Sequence, residues 1–290
     1  MREGAGSVRR PGGAERATGA FLDAFRFLTA LPLPPRGRNG GGLAASVAFF
    51  PAVGAALGGA LVLTDWACGE AFSRVPHLIS AVLVLAAYAL FTGGLHHDGL
   101  MDVADGFFSG GDRERILAVM KDSRVGAYGV LAAVLVLLMK SGLFASLFAP
   151  AQAMVVAAMP VLGRWAAAFL AGLYPHADEG GLGGAVIGRV DRRDLAASSG
   201  LCLVSLFAAV SLALFSGGGW ASFTRGLFLL ALLWLLAAAA ALLFARAVAR
   251  RLGGITGDTV GAAVELSELL VLFTGALLTG LIPLAPGGRP

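Results

Sequence analysis

Residues 78–148 read LISAVLVLAAYALFTGGLHHDGLMDVADGFFSGGDRERILAVMKDSRVGAYGVLAAVLVLLMKSGLFASLF. Two almost purely apolar runs, 78–95 and 125–148, enclose a segment crowded with Asp98, Asp102, Asp105, Asp112, Glu114, Lys121 and Asp122. Crossing about 30 Å of hydrocarbon takes about 20 predominantly apolar residues, so each run reads as a membrane span and the charged segment as the loop joining them. Five further windows share the pattern: 43–63, 151–174, 195–216, 226–245 and 264–284. Composition agrees, with 57% hydrophobic and only 14% charged residues, where a soluble chain carries about a quarter. Mean hydropathy is +0.80. The expected fold class is an all-α polytopic membrane protein, a bundle of about seven transmembrane helices. Its 42 glycines suit such a bundle, because small residues let membrane helices approach closely. No internal repeat is visible, so one integral-membrane domain is expected over 21–290, after a disordered basic tail at 1–20.

The tail lacks the apolar core of a secretory signal peptide. Residues 21–31 are apolar but too short to span and suit the membrane interface; LPLPPRGRNGGG at 31–42 then breaks any helix. Cys68 falls in an expected outer loop and Cys202 inside a helix near the other side, so no disulfide framework is expected. Basic residues orient the bundle. The N-terminal segment and loops 96–124, 175–194 and 246–263 hold seventeen Arg and Lys, against three (Arg74, Arg225 and Arg289) on the opposite side. That places the N-terminus in the cytoplasm and the C-terminus outside. The net charge of +4 follows from this topology and gives no reason to expect nucleic acid; the lipid bilayer is the expected partner.

Three loops on the cytoplasmic side carry motif-like chemistry. In HHDGLMDVADG, Asp98, Asp102 and Asp105 stand at i, i+4 and i+7, so in a helix their carboxylates share one face. Crowded carboxylates repel one another and call for a cation, and hard oxygen ligands suit Mg2+ or Mn2+. Gly93, Gly94, Gly99 and Gly106 thin this helix and would admit a partner backbone or a phosphate. Lys121 and Arg124 offer positive charge to phosphate oxygens. A merely solvated acidic and basic loop is the bland alternative. The second loop, YPHADEGGLGGAVIGRVDRRD, suits a flexible flap or an anion nest, in which Glu179 or Arg189 would touch a ligand, or simply a connector. In the third, RRLGGITGDTVGAAVELSELL, Thr256 or Asp258 would cap the last helix. Asp258, Glu265 and Glu268 then share a face, with Glu265 and Glu268 inside an apolar run where charge normally meets a cavity or a partner.

Arg164 lies mid-span, where an ion pair with Glu265 or Glu268 and a role on substrate phosphate are evenly matched. Lys140 is expected near the outer end, snorkelling to water. His96 and His97 point to different faces, so a shared metal is disfavoured and His97 reads as a polar boundary residue. His77 and His176 carry no usable context.

The run GGLHHDGLMDVADGFFSGGDRERILAVMKDSRVGAYG closely resembles the signature of the cobalamin synthase, or adenosylcobinamide-GDP ribazoletransferase, family. GGITGDTVGAAVELSEL resembles its C-terminal signature, and RFLTALPLPP and YPHADEGGLGGAVIGRV are similar to its weaker motifs. Together these run from about residue 21 to 284. His97 stands where the family usually has an apolar residue, and the Tyr174–Gly183 segment is slightly longer than usual.

The resemblance implies an Mg2+-dependent transferase (Mn2+ a substitute) of the bacterial cytoplasmic membrane, its active face cytoplasmic. It would join adenosylcobinamide-GDP to α-ribazole or its 5'-phosphate and release GMP, the last assembly step of cobalamin synthesis. Corrinoid and nucleoside substrates are then its small-molecule partners, and a homo-oligomer or association with other corrinoid-assembly enzymes stays open. On this reading Asp98, Asp102 and Asp105 hold the metal, and one of them or Asp122 accepts the acceptor's proton. Lys121 and Arg124 stabilise the departing GMP. His96, Arg164, Glu179, Asp258, Glu265 and Glu268 contribute to substrate binding, Asp258 and Glu265 completing the metal or acceptor site. A membrane phosphotransferase using a nucleotide-activated lipid normally shows an Ala-Arg after Asp-Gly that is missing after Asp98-Gly99. A cation transporter should show acids along a transmembrane path and repeat-related halves, and neither is visible.

Overall fold

A computed structural model describes residues 13–34, 42–71, 76–147, 151–178, 182–213 and 219–281. Its helices are α1 (Gly13–Leu28), α2 (Phe50–Ala71), α3 (His77–Thr92), α4 (Leu95–Phe108), α5 (Arg113–Met120), α6 (Ala127–Ala145), α7 (Ala151–Leu173), α8 (Arg192–Ala213), α9 (Gly219–Leu252) and α10 (Gly257–Leu281). No strand occurs among the described residues, which include two short 3-10 turns, Leu43–Phe49 and Leu182–Ala185, and one isolated bridge between His176 and Ile255. Six helices are long and apolar enough to cross a membrane: α2 with its leading 3-10 turn, α6, α7, α8, α9 and α10. The seventh expected span is α3, continued by α4 across a 91° bend. At 1.5 Å per residue α3 covers about 24 Å, so this element is short. The expected bundle of about seven spans is thus six long helices and one broken one.

Two expectations change. Helix α1 starts at Gly13, so residues 13–20 are helical rather than a disordered tail; residues 1–12 lie outside the described residues. Cys68 sits buried in α2, which extends well past residue 63, and not in an outer loop.

The core forms around α7, which is almost wholly enclosed. Helix α2 lies against it through Gly54 and Gly58, where a methyl group would run into the backbone at Pro160 and Ala157. This is the small-residue packing that hydrocarbon-solvated helices rely on, since lipid tails offer no hydrophobic gain from association. Helix α9 is 34 residues long, about 50 Å, so its last turns with Arg246, Arg250 and Arg251 outrun a bilayer core of about 30 Å.

The element that places the site is the bend between α3 and α4. Gly93 and Gly94 take φ of +62° and +69°, the left-handed region that costs other residues a clash with their own Cβ. The chain therefore turns sharply, and α4 runs across the ends of α6 and α10 instead of continuing α3. Gly99 lets α4 reach α10: an added Cβ would lie 2.7 Å from the Asp258 carbonyl oxygen and 2.9 Å from its Cα. Gly99→Ala is expected to push α4 off α10, with a loss of about 1–3 kcal/mol from overpacking. Thermal unfolding in detergent measures it, and an unchanged midpoint would contradict this packing.

Candidate functional site

The end of the bundle where α4, α5, α10 and the 174–190 loop meet holds a cavity of about 550 Å³. Its walls are mostly apolar, and its polar groups are His96, Asp98, Lys121, His176, Asp178, Thr256 and Asp258. Local structure fixes these positions. The α10 start is closed by reciprocal bonds of Thr256 and Thr259, in which Thr259 N donates to Thr256 Oγ1 at 3.2 Å and Thr256 N to Thr259 Oγ1 at 2.8 Å. Thr256 is therefore the cap, and Asp258 in the first turn is left to face the cavity. Asp112 caps α5, accepting from Arg115 N at 3.0 Å.

The three acids of α4 do not act as one ligand set. Asp105 accepts Gly126 N and Gly129 N, both at 2.8 Å, and so caps α6. A methyl on either glycine would collide with that carboxylate, which accounts for the Gly-Ala-Tyr-Gly sequence. Asp98 borders the cavity; Asp102 stands half-buried behind it. The neighbour that joins them is Asp258, across the α4–α10 contact. Asp102 stands among like charges, those of Asp258, Asp98 and Asp105. No basic side chain pairs with Asp98, Asp102 or Asp258 among the described residues. Among these residues no three acids, histidines or cysteines converge on one metal position. A divalent ion such as Mg2+ nonetheless fits this donor set, because it usually binds through one or two carboxylates and completes its shell with water and substrate phosphates.

Asp122 and Arg124 are removed from this role. Arg124 donates to Asp122 through N and Nε at 3.0 Å and through Nη2 at 2.6 Å on the surface, outside the cavity lining. The pairing holds the Asp122 carboxyl down to about 2, which makes it a poor proton acceptor. Lys121 does border the cavity, with its Nζ 2.6 Å from Asp178.

Beneath the cavity lies a buried charge network. Lys140 Nζ donates to Glu265 and Glu268, each at 2.7 Å, and Arg164 donates to Glu268 and Tyr88. Lys140 is fully buried, so it does not snorkel: α10 offers it two carboxylates, a stronger attraction than distant water. The same contacts resolve Arg164 as a structural partner of Glu268, and they take Glu265 and Glu268 out of the substrate-facing wall. His97 Nδ1 lies 3.1 Å from Glu265, at the boundary of this network. His96 links network and cavity, its Nδ1 3.3 Å from Arg164 Nη2. A guanidinium can only donate, so Nδ1 accepts, the ring proton is on Nε2, and His96 presents a donor. Glu179 lies outside the described residues.

A family model of cobalamin-5-phosphate synthase matches residues 20–276. The chain belongs to the cobalamin-5-phosphate synthase family. It is thereby a transferase of cobalamin biosynthesis. Among its relatives are adenosylcobinamide-GDP ribazoletransferases of Brevibacillus brevis, 40% identical over 87% of this chain and 96% of the relative, and of Desulfitobacterium hafniense, 41% identical over 86% and 93%. That of Roseiflexus sp. is 37% identical over 87% of each chain. No solved structure matches.

In this synthase-family chain the loop after α7 supplies residues that the sequence left without context. His176 and Asp178 line the cavity, and the loop is pinned there by Ala177 N donating to Ile255 O at 2.9 Å and Ile255 N to Pro175 O at 3.0 Å. Arg113 adds a clamp, donating to Leu252 O at 2.8 Å and Ala177 O at 2.6 Å. Burial lowers the His176 pKa, which favours its neutral form. The one available signal was the abutment of Tyr174-Pro175-His176-Ala177-Asp178 on the glycine run.

Proposed function

We propose that this chain is an adenosylcobinamide-GDP ribazoletransferase of the bacterial cytoplasmic membrane, working on its cytoplasmic face. It joins adenosylcobinamide-GDP to α-ribazole or α-ribazole 5'-phosphate with Mg2+. In the step itself, an acceptor hydroxyl oxygen bonds to the phosphorus on the cobinamide side, the bridging P–O bond breaks, and GMP leaves with that oxygen. The observation that carries this reading is Asp98 and Asp258 on the wall of a ligand-sized cavity, with Asp102 half-buried near them and none of the three paired with a basic side chain among the described residues. A pyrophosphate-linked donor brings strong negative charge, and its transfer is chiefly a matter of positioning and charge neutralisation. A bound Mg2+ would supply that neutralisation, held by one or two of Asp98 and Asp102 of α4 and Asp258 of α10, with water and substrate phosphate completing its shell. Asp98, the most exposed of the three, is the group to take the hydroxyl proton. Lys121 meets the departing phosphate, and His96 and Asp178 orient substrate. Incubating the purified protein with the two substrates, with and without Mg2+, tests the proposal; no GMP release with Mg2+ present would refute it.

The cytoplasmic orientation is supported by the seventeen-to-three basic asymmetry and by the basic end of α9 on the same side as the cavity wall it clamps through Arg113. Reporter fusions after Gly110 and Gly257 should read cytoplasmic, and one after Gly219 external. An external reading at Gly110 would put the acids out of reach of a cytoplasmic nucleotide donor.

A further inference from the structure

The cavity lining includes two histidines, held in opposite tautomers. His96 Nδ1 accepts from Arg164, which leaves its Nε2 as a donor. His176 is arranged the other way round. Its Nδ1 contacts the carbonyl oxygen of Asp178, and a carbonyl can only accept, so Nδ1 carries the proton. In the neutral ring, which burial favours, Nε2 is left with a lone pair. That nitrogen has no partner among the described residues.

A group of the opposite sense lies beside it. Gly257 opens α10, where an amide has no carbonyl to reach within its own helix, and it bonds to none elsewhere among the described residues. A Cβ on Gly183 would stand 2.9 Å from Gly257 N and 3.2 Å from His176 Nε2. The two nitrogens are therefore no more than about 6 Å apart, a gap that one oxygen closes with two hydrogen bonds of about 3 Å each. His176, Gly183 and Gly257 all line the cavity, and any side chain at 183 would enter the space between the other two. Both sides of that space are fixed. Ala177 N donates to Ile255 O at 2.9 Å and Ile255 N to Pro175 O at 3.0 Å, bracketing His176, and the Thr256–Thr259 bonds set the start of α10. A group seated there must accept from Gly257 and donate to His176. A diphosphate oxygen cannot donate and an ammonium cannot accept; a hydroxyl does both.

We infer that His176 Nε2 and the Gly257 amide form a subsite for one ribose hydroxyl of the nucleoside substrates, and that Gly183 keeps it open. This rests on the ribazoletransferase reading above, in which the donor carries guanosine and the acceptor is itself a ribose nucleoside. Either sugar offers the same group. The hydroxyl oxygen accepts from Gly257 N–H and its hydrogen is donated to His176 Nε2, with no bond made or broken. His176 thus aligns a sugar, and the proton of the reacting hydroxyl goes elsewhere.

Deoxy substrates test this. One set is α-ribazole lacking a ribose hydroxyl other than the reacting one; the other is adenosylcobinamide-GDP built on 2'-deoxy- or 3'-deoxyguanosine. Removing the hydroxyl that sits in the subsite should cost the wild-type enzyme about tenfold or more in kcat/KM, because a donor and an acceptor of the site are then left unmatched. His176→Ala should use that analogue and its parent within about threefold of each other, since the group that reads the hydroxyl is gone. The analogue whose penalty this variant erases identifies the sugar that is bound. Gly183→Ala, whose methyl enters the same space, should erase the same penalty and replaces His176→Ala if that variant does not fold. A histidine with a purely structural role would leave the penalty intact. The inference is overturned if wild-type enzyme uses every analogue as well as its parent, or if the penalty survives in either folded variant. Failure of the underlying reading looks different: wild-type protein would then release no GMP from the unmodified substrates.

Discussion

Asp98→Asn is expected to abolish turnover while leaving a normally inserted and folded protein. The substitution keeps the side-chain shape at the cavity wall but removes the charge and the proposed proton acceptor. A positioned general base contributes about 10²- to 10⁴-fold, and a loss of at least a hundredfold in kcat/KM should follow. Asp102→Asn should also depress activity, with partial recovery at high Mg2+ or Mn2+, because on the proposed reading that carboxyl contributes affinity for the cation and not contact with the hydroxyl. Asp105→Asn separates the two kinds of acid on α4. Its two oxygens accept from Gly126 N and Gly129 N and cap α6; an asparagine can accept only one of these bonds, so the change should appear as about 1–3 kcal/mol of stability, with the surviving folded enzyme still active. Initial-rate kinetics and thermal unfolding on the same preparations decide between these roles. Near-normal rates for Asp98→Asn would remove it from the chemistry.

Lys140→Met should be the most destabilising single change away from the cavity. Glu265 and Glu268 are balanced by Lys140 and Arg164. Removing the lysine leaves one carboxylate uncompensated where the protein and lipid give little solvation. Breaking a buried pair from one side costs about 3–5 kcal/mol, a large fraction of a typical stability of about 5–15 kcal/mol. Little folded protein is expected. Lys140→Met combined with Glu265→Gln restores the balance of charge and should recover most of it, since a neutral amide can still be accommodated. Folded yield and unfolding in detergent are the measurements. A single Lys140→Met variant as stable as wild type would mean that the ammonium reaches water, as the sequence alone suggested.

The sequence by itself determined the class of fold, because membrane crossing is a matter of one-dimensional apolar length: six long spans and the short α3 fall on the seven apolar windows. It also marked the segments of the proposed site, since Asp98, Asp102 and Asp258 are charges that an apolar chain does not retain without cause, and it carried the family in the motifs around them. Side-chain allocation was decided only by the tertiary structure. Helical spacing puts Asp98, Asp102 and Asp105 on one face, yet whether a carboxylate stays free depends on what packs there; the amides of Gly126 and Gly129 claim Asp105, and α10 delivers Asp258 in its place. Lys140 and Arg164 lie more than a hundred residues from the glutamates they neutralise, a distance over which no local pattern operates. His176 and Asp178 become cavity residues because a backbone bridge to Ile255 folds their loop against α10. The sharp turn at Gly93 and Gly94 underlies all of this: two left-handed residues convert the end of a span into a crossing helix, and the crossing brings acids from both ends of the chain to one cavity.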